Sequence, residues 1–150
     1  MIYLECNPDK ILVNALGISH KEIKHAYSKG NVCNTLIKNN NVAGLVDEDP
    51  SSPQPGYIKT LQYQAFQQDI RVFADPRPGN RLIMLCPRLE EWIISVAHEA
   101  KINLNDYDLP GNAKQLHKII NLQQSSLKKF VDDIKASSAK LQTLASLLKS

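Results

Sequence analysis

Cysteine is scarce in this chain: Cys6, Cys33 and Cys86 are widely spaced, odd in number, and form no closely spaced pair. That argues against a disulfide framework and fits thiols held reduced in a cytoplasmic protein. The four histidines are scattered as well, so neither residue type offers the clustered ligands of a zinc site. No apolar run approaches the roughly 18 residues of a membrane span. Met1–Ile2–Tyr3–Leu4–Glu5 lacks the basic start and longer apolar core of a signal peptide. There is no internal repeat. Charge of one sign is not dominant either: a net charge of +3 permits a polyanionic partner without demanding one.

What is present is enough for an ordinary folded domain. The 150 residues are 43% hydrophobic and 22% charged, within the globular range. Charge is uneven along the chain. Residues 1–50 carry five lysines and six acids, whereas residues 101–150 carry eight lysines against four aspartates. A polyanion would find its counter-charge mainly in the last third.

Local patterns suggest alternating strands and helices. Ile2–Leu4 reads as a short strand ending at Glu5, and Asn7–Pro8–Asp9 as the start of a helix that Gly17 stops. Ser19 with Glu22 resembles a capping box and suggests a second helix. Gly30–Asn31 opens another, with Val32, Cys33, Leu36 and Ile37 at helical spacing. Val42–Val46 is a nearly continuous apolar run, as in buried central strands. A Ser/Pro/Gly loop follows, and then a short helix is expected around residues 59–67. Ile70–Phe73 and Arg81–Leu85 read as strands separated by a Pro76–Arg77–Pro78–Gly79–Asn80 turn, either a hairpin or neighbouring strands. After Pro87, a helix presents Leu89, Trp92, Ile93 and Val96 inward. From Ala113 onward the chain is helical, with an apolar stripe of Leu127, Val131, Ile134, Leu141, Ala145 and Leu148. The stripe suits either a helix docked on the sheet or an interface with a second copy or a partner protein through residues 127–148. The expected organisation is an α/β domain over residues 1–100 and a helical C-terminal extension over 101–150.

The most telling stretch is Val42–Ala43–Gly44–Leu45–Val46–Asp47–Glu48–Asp49–Pro50. Three acids close a buried strand, at the edge where open α/β sheets place their sites. Strand alternation points Asp47 and Asp49 one way and Glu48 the other. Two like charges on one side call for a cation or a basic partner, and hard carboxylate oxygens suit Mg²⁺ or Mn²⁺. A solvated acidic turn has the same composition.

Glu5 after a first strand, a helix, a Lys–Gly segment and a second strand closing in Asp-x-Asp together resemble the Toprim fold of topoisomerases, bacterial primases and small nucleases. Pro87-x-Leu89–Glu90-x-Trp92–Ile93 is similar to a signature of small stand-alone Toprim-like proteins near bacterial defence genes, including the RloB-like group. The resemblance covers roughly residues 2–98. It implies a small, mostly parallel sheet with flanking helices. It also implies that Glu5, Asp47 and Asp49 form the catalytic set, with Glu5 as general acid or base, and that Glu5, Asp47, Asp49 and Glu90 are the magnesium-site residues. Cys6 follows Glu5, where topoisomerases often have glycine. Tyr3, Tyr27, Tyr57, Tyr63 and Tyr107 have no context marking a nucleophile, which argues against topoisomerase chemistry.

Basic residues complete the expectation. Lys24, His25 and Lys29 precede a helix start, and Arg77 and Arg81 flank a turn; each set suits contact with phosphate or a nucleic-acid backbone. The leading reading is Mg²⁺-dependent phosphodiester hydrolysis on DNA or RNA. The alternative is a non-catalytic accessory protein of the same fold that assembles through its C-terminal helix. A receiver-like or flavodoxin-like domain ranks last, because no lysine follows Leu82–Leu85 and Asp69 and Asp75 are poorly placed as acceptors.

Overall fold

The computed structural model describes all residues, 1–150. Six strands form one sheet: β1 (Ile2–Leu4), β2 (Ile23–His25), β3 (Ala43–Asp47), β4 (Gln62–Gln67), β5 (Ile70–Asp75) and β6 (Asn80–Leu85). Their order is β2-β1-β3-β6-β5-β4. The first four strands in that order run parallel, whereas β5 and β4 add to β6 as antiparallel neighbours. The sheet is therefore mixed, which corrects the mostly parallel sheet expected above. The short Pro76–Gly79 connection decides this, because it can only return the chain antiparallel; a parallel neighbour needs a long crossover.

Seven helices flank the sheet: α1 (Asn7–Ala15), α2 (Lys29–Lys38), α3 (Gly56–Lys59), α4 (Leu89–Glu99), α5 (Ala113–Ile119), α6 (Gln124–Ile134) and α7 (Ala139–Lys149). Alternation along the central strands divides the core between two faces. Ile2 and Leu4, Ala43 and Leu45, and Ile83 and Leu85 join a cluster of 30 buried residues with α1, α4, α5, α6 and α7. Val46, Leu82 and Met84 face the other way, into a cluster of 8 with Val32, Cys33 and Leu36 of α2 and Ile58 of α3. On this second face α2 lies close to β3 at Gly44, where an added Cβ would stand 2.6 Å from Val32 Cγ1 and 3.1 Å from Leu82 Cδ1.

The apolar stripe of residues 127–148 is spent inside the chain. Leu127, Val131, Ile134, Leu141 and Leu148 are buried in the larger cluster beside Leu12 and Val13 of α1. The lone tryptophan, Trp92, is fully buried there too, and its Nε1–H donates to the Gln68 carbonyl at 3.0 Å.

Two local expectations are corrected. The Ser19–Glu22 box caps only a single 3-10 turn, His20–Glu22, after which Ile23 enters β2 beside Ile2. The helix expected over 59–67 is instead the end of α3 followed by β4. β4 is an edge strand with mostly exposed side chains, held by its backbone ladder to β5 rather than by burial. Its sequence consequently shows no clean alternation.

Candidate metal centre

The four parallel strands all finish at one edge of the sheet, and the chain places acids there by three routes. Glu5 directly follows β1. Asp47 ends β3, continuing the Ala43–Leu45 row toward the face covered by α1 and α4. Asp9 and Glu90 lie in the first turns of those two helices. Both helix N-termini therefore approach the same edge, where their partial positive charge offsets part of the acids' repulsion.

Bonding within this group is sparse. Glu5 Oε2 accepts from the Asp47 N–H at 2.9 Å, and Asp47 Oδ1 accepts from the Leu89 N–H at 3.1 Å. Glu90 Oε1 accepts from His117 Nδ1 at 2.8 Å. Asp9 is 1% exposed, and neither of its carboxylate oxygens has a hydrogen-bond partner.

Electrostatics follow from that geometry. Burial pushes Asp47 well above the ordinary carboxylate range, and Asp9, Glu5 and Glu90 add to it by repulsion, against the pull of the Leu89 N–H. Burial raises Asp9 too, restrained by the Cys6 thiol and N–H, while Glu5 and Glu90 push it further. Glu5 is also raised by burial, against the pull of the Asp47 N–H and Lys29. The Cys6 thiol, half-buried above the cluster's first helix, is driven far up by burial and by Asp9, so it is not a ready thiolate.

Asp49 stands apart. Strand β3 ends at Asp47, and Asp49 takes a left-handed backbone conformation with φ 44° that turns it out of the alternation expected above. Its oxygens accept from Ser52 Oγ at 2.7 Å and Ser51 Oγ at 3.3 Å, and Arg88 Nη2 pairs with it at 3.2 Å. The Ser52 hydroxyl is the main reason its carboxyl sits below its usual value. It lies at the rim of the cluster, within electrostatic reach of Glu5. Glu48 does point to the opposite face, where Oε2 pairs with Arg71 Nε at 2.9 Å.

The basic residues separate by edge. Lys29 reaches the acidic edge, where Nζ donates to the Glu48 carbonyl at 2.8 Å and to Gln54 Oε1 at 3.1 Å. His25 ends β2 at the same edge, and its Nε2 bonds the Glu5 carbonyl at 2.9 Å. Lys24 is exposed in the middle of β2. Arg77 and Arg81 lie at the other edge, in and after the β5–β6 turn; Arg81 Nη1 donates to the Leu147 carbonyl and to Ser150 Oγ, tying down the end of α7.

As the side chains stand, no three His, Cys, Asp or Glu residues converge closely enough to hold an ion. The donor set nonetheless suits a hard divalent cation in chemistry: it is all carboxylate, and it includes a buried, unpartnered oxygen pair at Asp9. Glu5 and Asp47 spend one oxygen each on a backbone N–H, which leaves a second oxygen on each. Asp9 and His117 were not legible as site residues in the sequence. The available signal for Asp9 is its place in the first turn of the helix that follows Glu5. Comparison with protein-family models, curated proteins and solved structures finds no match for this chain.

Proposed function

We propose that this chain is a Toprim-like, Mg²⁺- or Mn²⁺-dependent phosphodiesterase acting on nucleic acid. The observation that carries the reading is the buried, mutually repelling group Glu5–Asp9–Asp47–Glu90, in which neither Asp9 oxygen completes a hydrogen bond and the Cys6 thiol and N–H beside it only partly offset its burial. Burying unpaired carboxylates is costly, and a chain that gathers several must neutralise them with protons or a cation. Asp47 and Asp9 would hold the ion, with Glu5, Asp49 and Glu90 flanking them. A divalent ion in this position supplies Lewis-acid polarisation of a phosphodiester.

The chain's own groups have distinct parts in this reading. Glu5, fixed by the Asp47 N–H and raised by burial, is placed to exchange a proton with water or a leaving oxygen. Arg88, at the rim beside Asp49, offers a guanidinium for a phosphate oxygen. Cleavage of single- and double-stranded DNA and RNA should require a divalent ion and fall by about 10² or more in Glu5→Gln. The amide retains the acceptor for the Asp47 N–H but cannot carry the proton. Equal metal-dependent rates in wild type and Glu5→Gln would remove Glu5 from the chemistry. Metal binding without cleavage of any of these substrates would favour a non-catalytic accessory role.

A further inference from the structure

A cavity of about 430 Å³ opens between the start of α4 and α5. Arg88, Glu90 and Glu91 line one side, and Lys114, His117 and Lys118 the other. The orientation of α5 is set by burial of Leu116, followed by Ile120 just past its end, in the main core. With those residues turned inward, Lys114 and Lys118, one helical turn apart, share a side that borders the cavity. Both lysines are exposed, and neither has an acidic partner.

The two cavity acids each face a basic group, although Glu91 Oε2 is buried without a hydrogen-bond partner. Glu91 faces Arg88 at 3.6 Å, and Glu90 holds His117 at 2.8 Å. Glu90 is only 9% exposed at its side chain whereas His117 is 77% exposed, so a buried carboxylate anchors an exposed ring at the cavity wall. Its electrostatic influence on Asp9 and Asp47 places the same Glu90 next to the acidic cluster. Three permanent cations thus surround a space bordering that cluster, and two of them have no counter-charge.

Resting on the metal-site reading above, we infer that this cavity seats a backbone phosphate of a nucleic-acid strand, with Lys114, Lys118 and His117 on α5 as its contacts. The C-terminal region would then add the lysines of α5 to the Lys29 and Arg88 cations already at the acidic edge. Sequence-independent lysine contacts of this kind give affinity that falls with salt. Arg88, bridging Asp49 and Glu91, joins the two halves.

The test is fluorescence anisotropy of a short labelled single-stranded DNA on the full chain, at several salt concentrations, with Mn²⁺ titration calorimetry in parallel. Lys114→Ala/Lys118→Ala should weaken binding by about tenfold or more. It should also flatten the salt dependence by about 1.4 in log–log slope, the amount expected for two lost phosphate contacts to a single strand. Lys38→Ala/Lys129→Ala removes the same charge from exposed, unpaired lysines elsewhere and should leave most of the affinity intact. Equal losses in the two double variants would overturn the inference. Displacement of the oligonucleotide by inorganic phosphate at the same phosphate concentration would also overturn it, since the cavity would then hold a small anion rather than a strand. Manganese heats should be unchanged in Lys114→Ala/Lys118→Ala. Absence of manganese binding in wild type, with strand binding still dependent on Lys114 and Lys118, would sink the metal site and leave the phosphate seat standing.

Discussion

The two edges of the sheet handle buried polar groups in opposite ways. At the edge where β6 begins, Asn80 is 2% exposed and bonded through both ends of its amide. Its Oδ1 accepts from the Val42 N–H at 3.0 Å, and its Nδ2 donates to the Leu36 and Asn39 carbonyls at 2.6 and 2.8 Å. At the edge where the parallel strands finish, Asp9 is equally buried, and neither of its oxygens completes a hydrogen bond. One side chain stitches β3, β6 and α2 together. The other is a carboxylate taken out of water with only the neighbouring Cys6 thiol and N–H to favour its charge. A satisfied buried polar group is part of the scaffold, whereas an unsatisfied one costs stability, and the proposed ion would relieve that cost.

That contrast is breakable by mutation. Asn80→Leu keeps the volume but leaves an N–H and two carbonyls without their partner, and should cost about 3 kcal/mol at every pH. Urea unfolding near neutral and at mildly acidic pH measures it; a loss confined to one pH would contradict a purely structural role. Gly44→Ala, on the close approach of α2 to β3, should cost about 2 kcal/mol by overpacking against Val32 and Leu82, without altering metal binding.

Asp9→Asn should act in the other direction. Without metal at pH 8 it should stabilise the chain by about 1–2 kcal/mol, because it removes one of the mutually repelling charges. The sign follows from linkage. Glu5, Asp9 and Asp47 have folded-state values above their ordinary 4.5, 3.8 and 3.8, so the folded chain binds more protons than the unfolded one above about pH 4. Their contribution is fully present below those ordinary values and is lost as pH rises through the folded-state values. The metal-free midpoint of thermal unfolding should therefore decline from mildly acidic to mildly alkaline pH, and less steeply in Asp9→Asn. A midpoint that climbs over that range would mean the cluster is not repulsive.

Much of the scaffold was legible because burial was written into the pattern. The β3 run Ala43–Val46 is continuously apolar, as a strand covered on both faces is, and the inward face of α4 and the stripe from Leu127 to Leu148 carry the helical period. Elements held by backbone pairing at the margins were not legible. β4 exposes nearly all its side chains, and β2 is only three residues long beside a local cap that suggested helix. At the site, Glu5 and Asp47 announce themselves as acids closing apolar strands. Asp9 reads as an ordinary helix-start acid, because its burial is imposed by neighbours far along the chain. The Glu90–His117 contact spans 27 residues and two helices, so no local spacing encodes it. Asp49 shows the limit of alternation: the strand ends two residues too soon to aim it with Asp47.

The central claim is that the acidic edge holds protons when free and exchanges them for a divalent cation. Titration of Mn²⁺ into the full chain near neutral pH, in two buffers of different ionisation enthalpy, tests it most directly, with Asp9→Asn/Asp47→Asn as the control. The account predicts binding whose heat changes with the buffer in the sense of proton release, and no binding in the double variant. Wild type that binds no Mn²⁺, or a double variant that binds it unchanged, would contradict it.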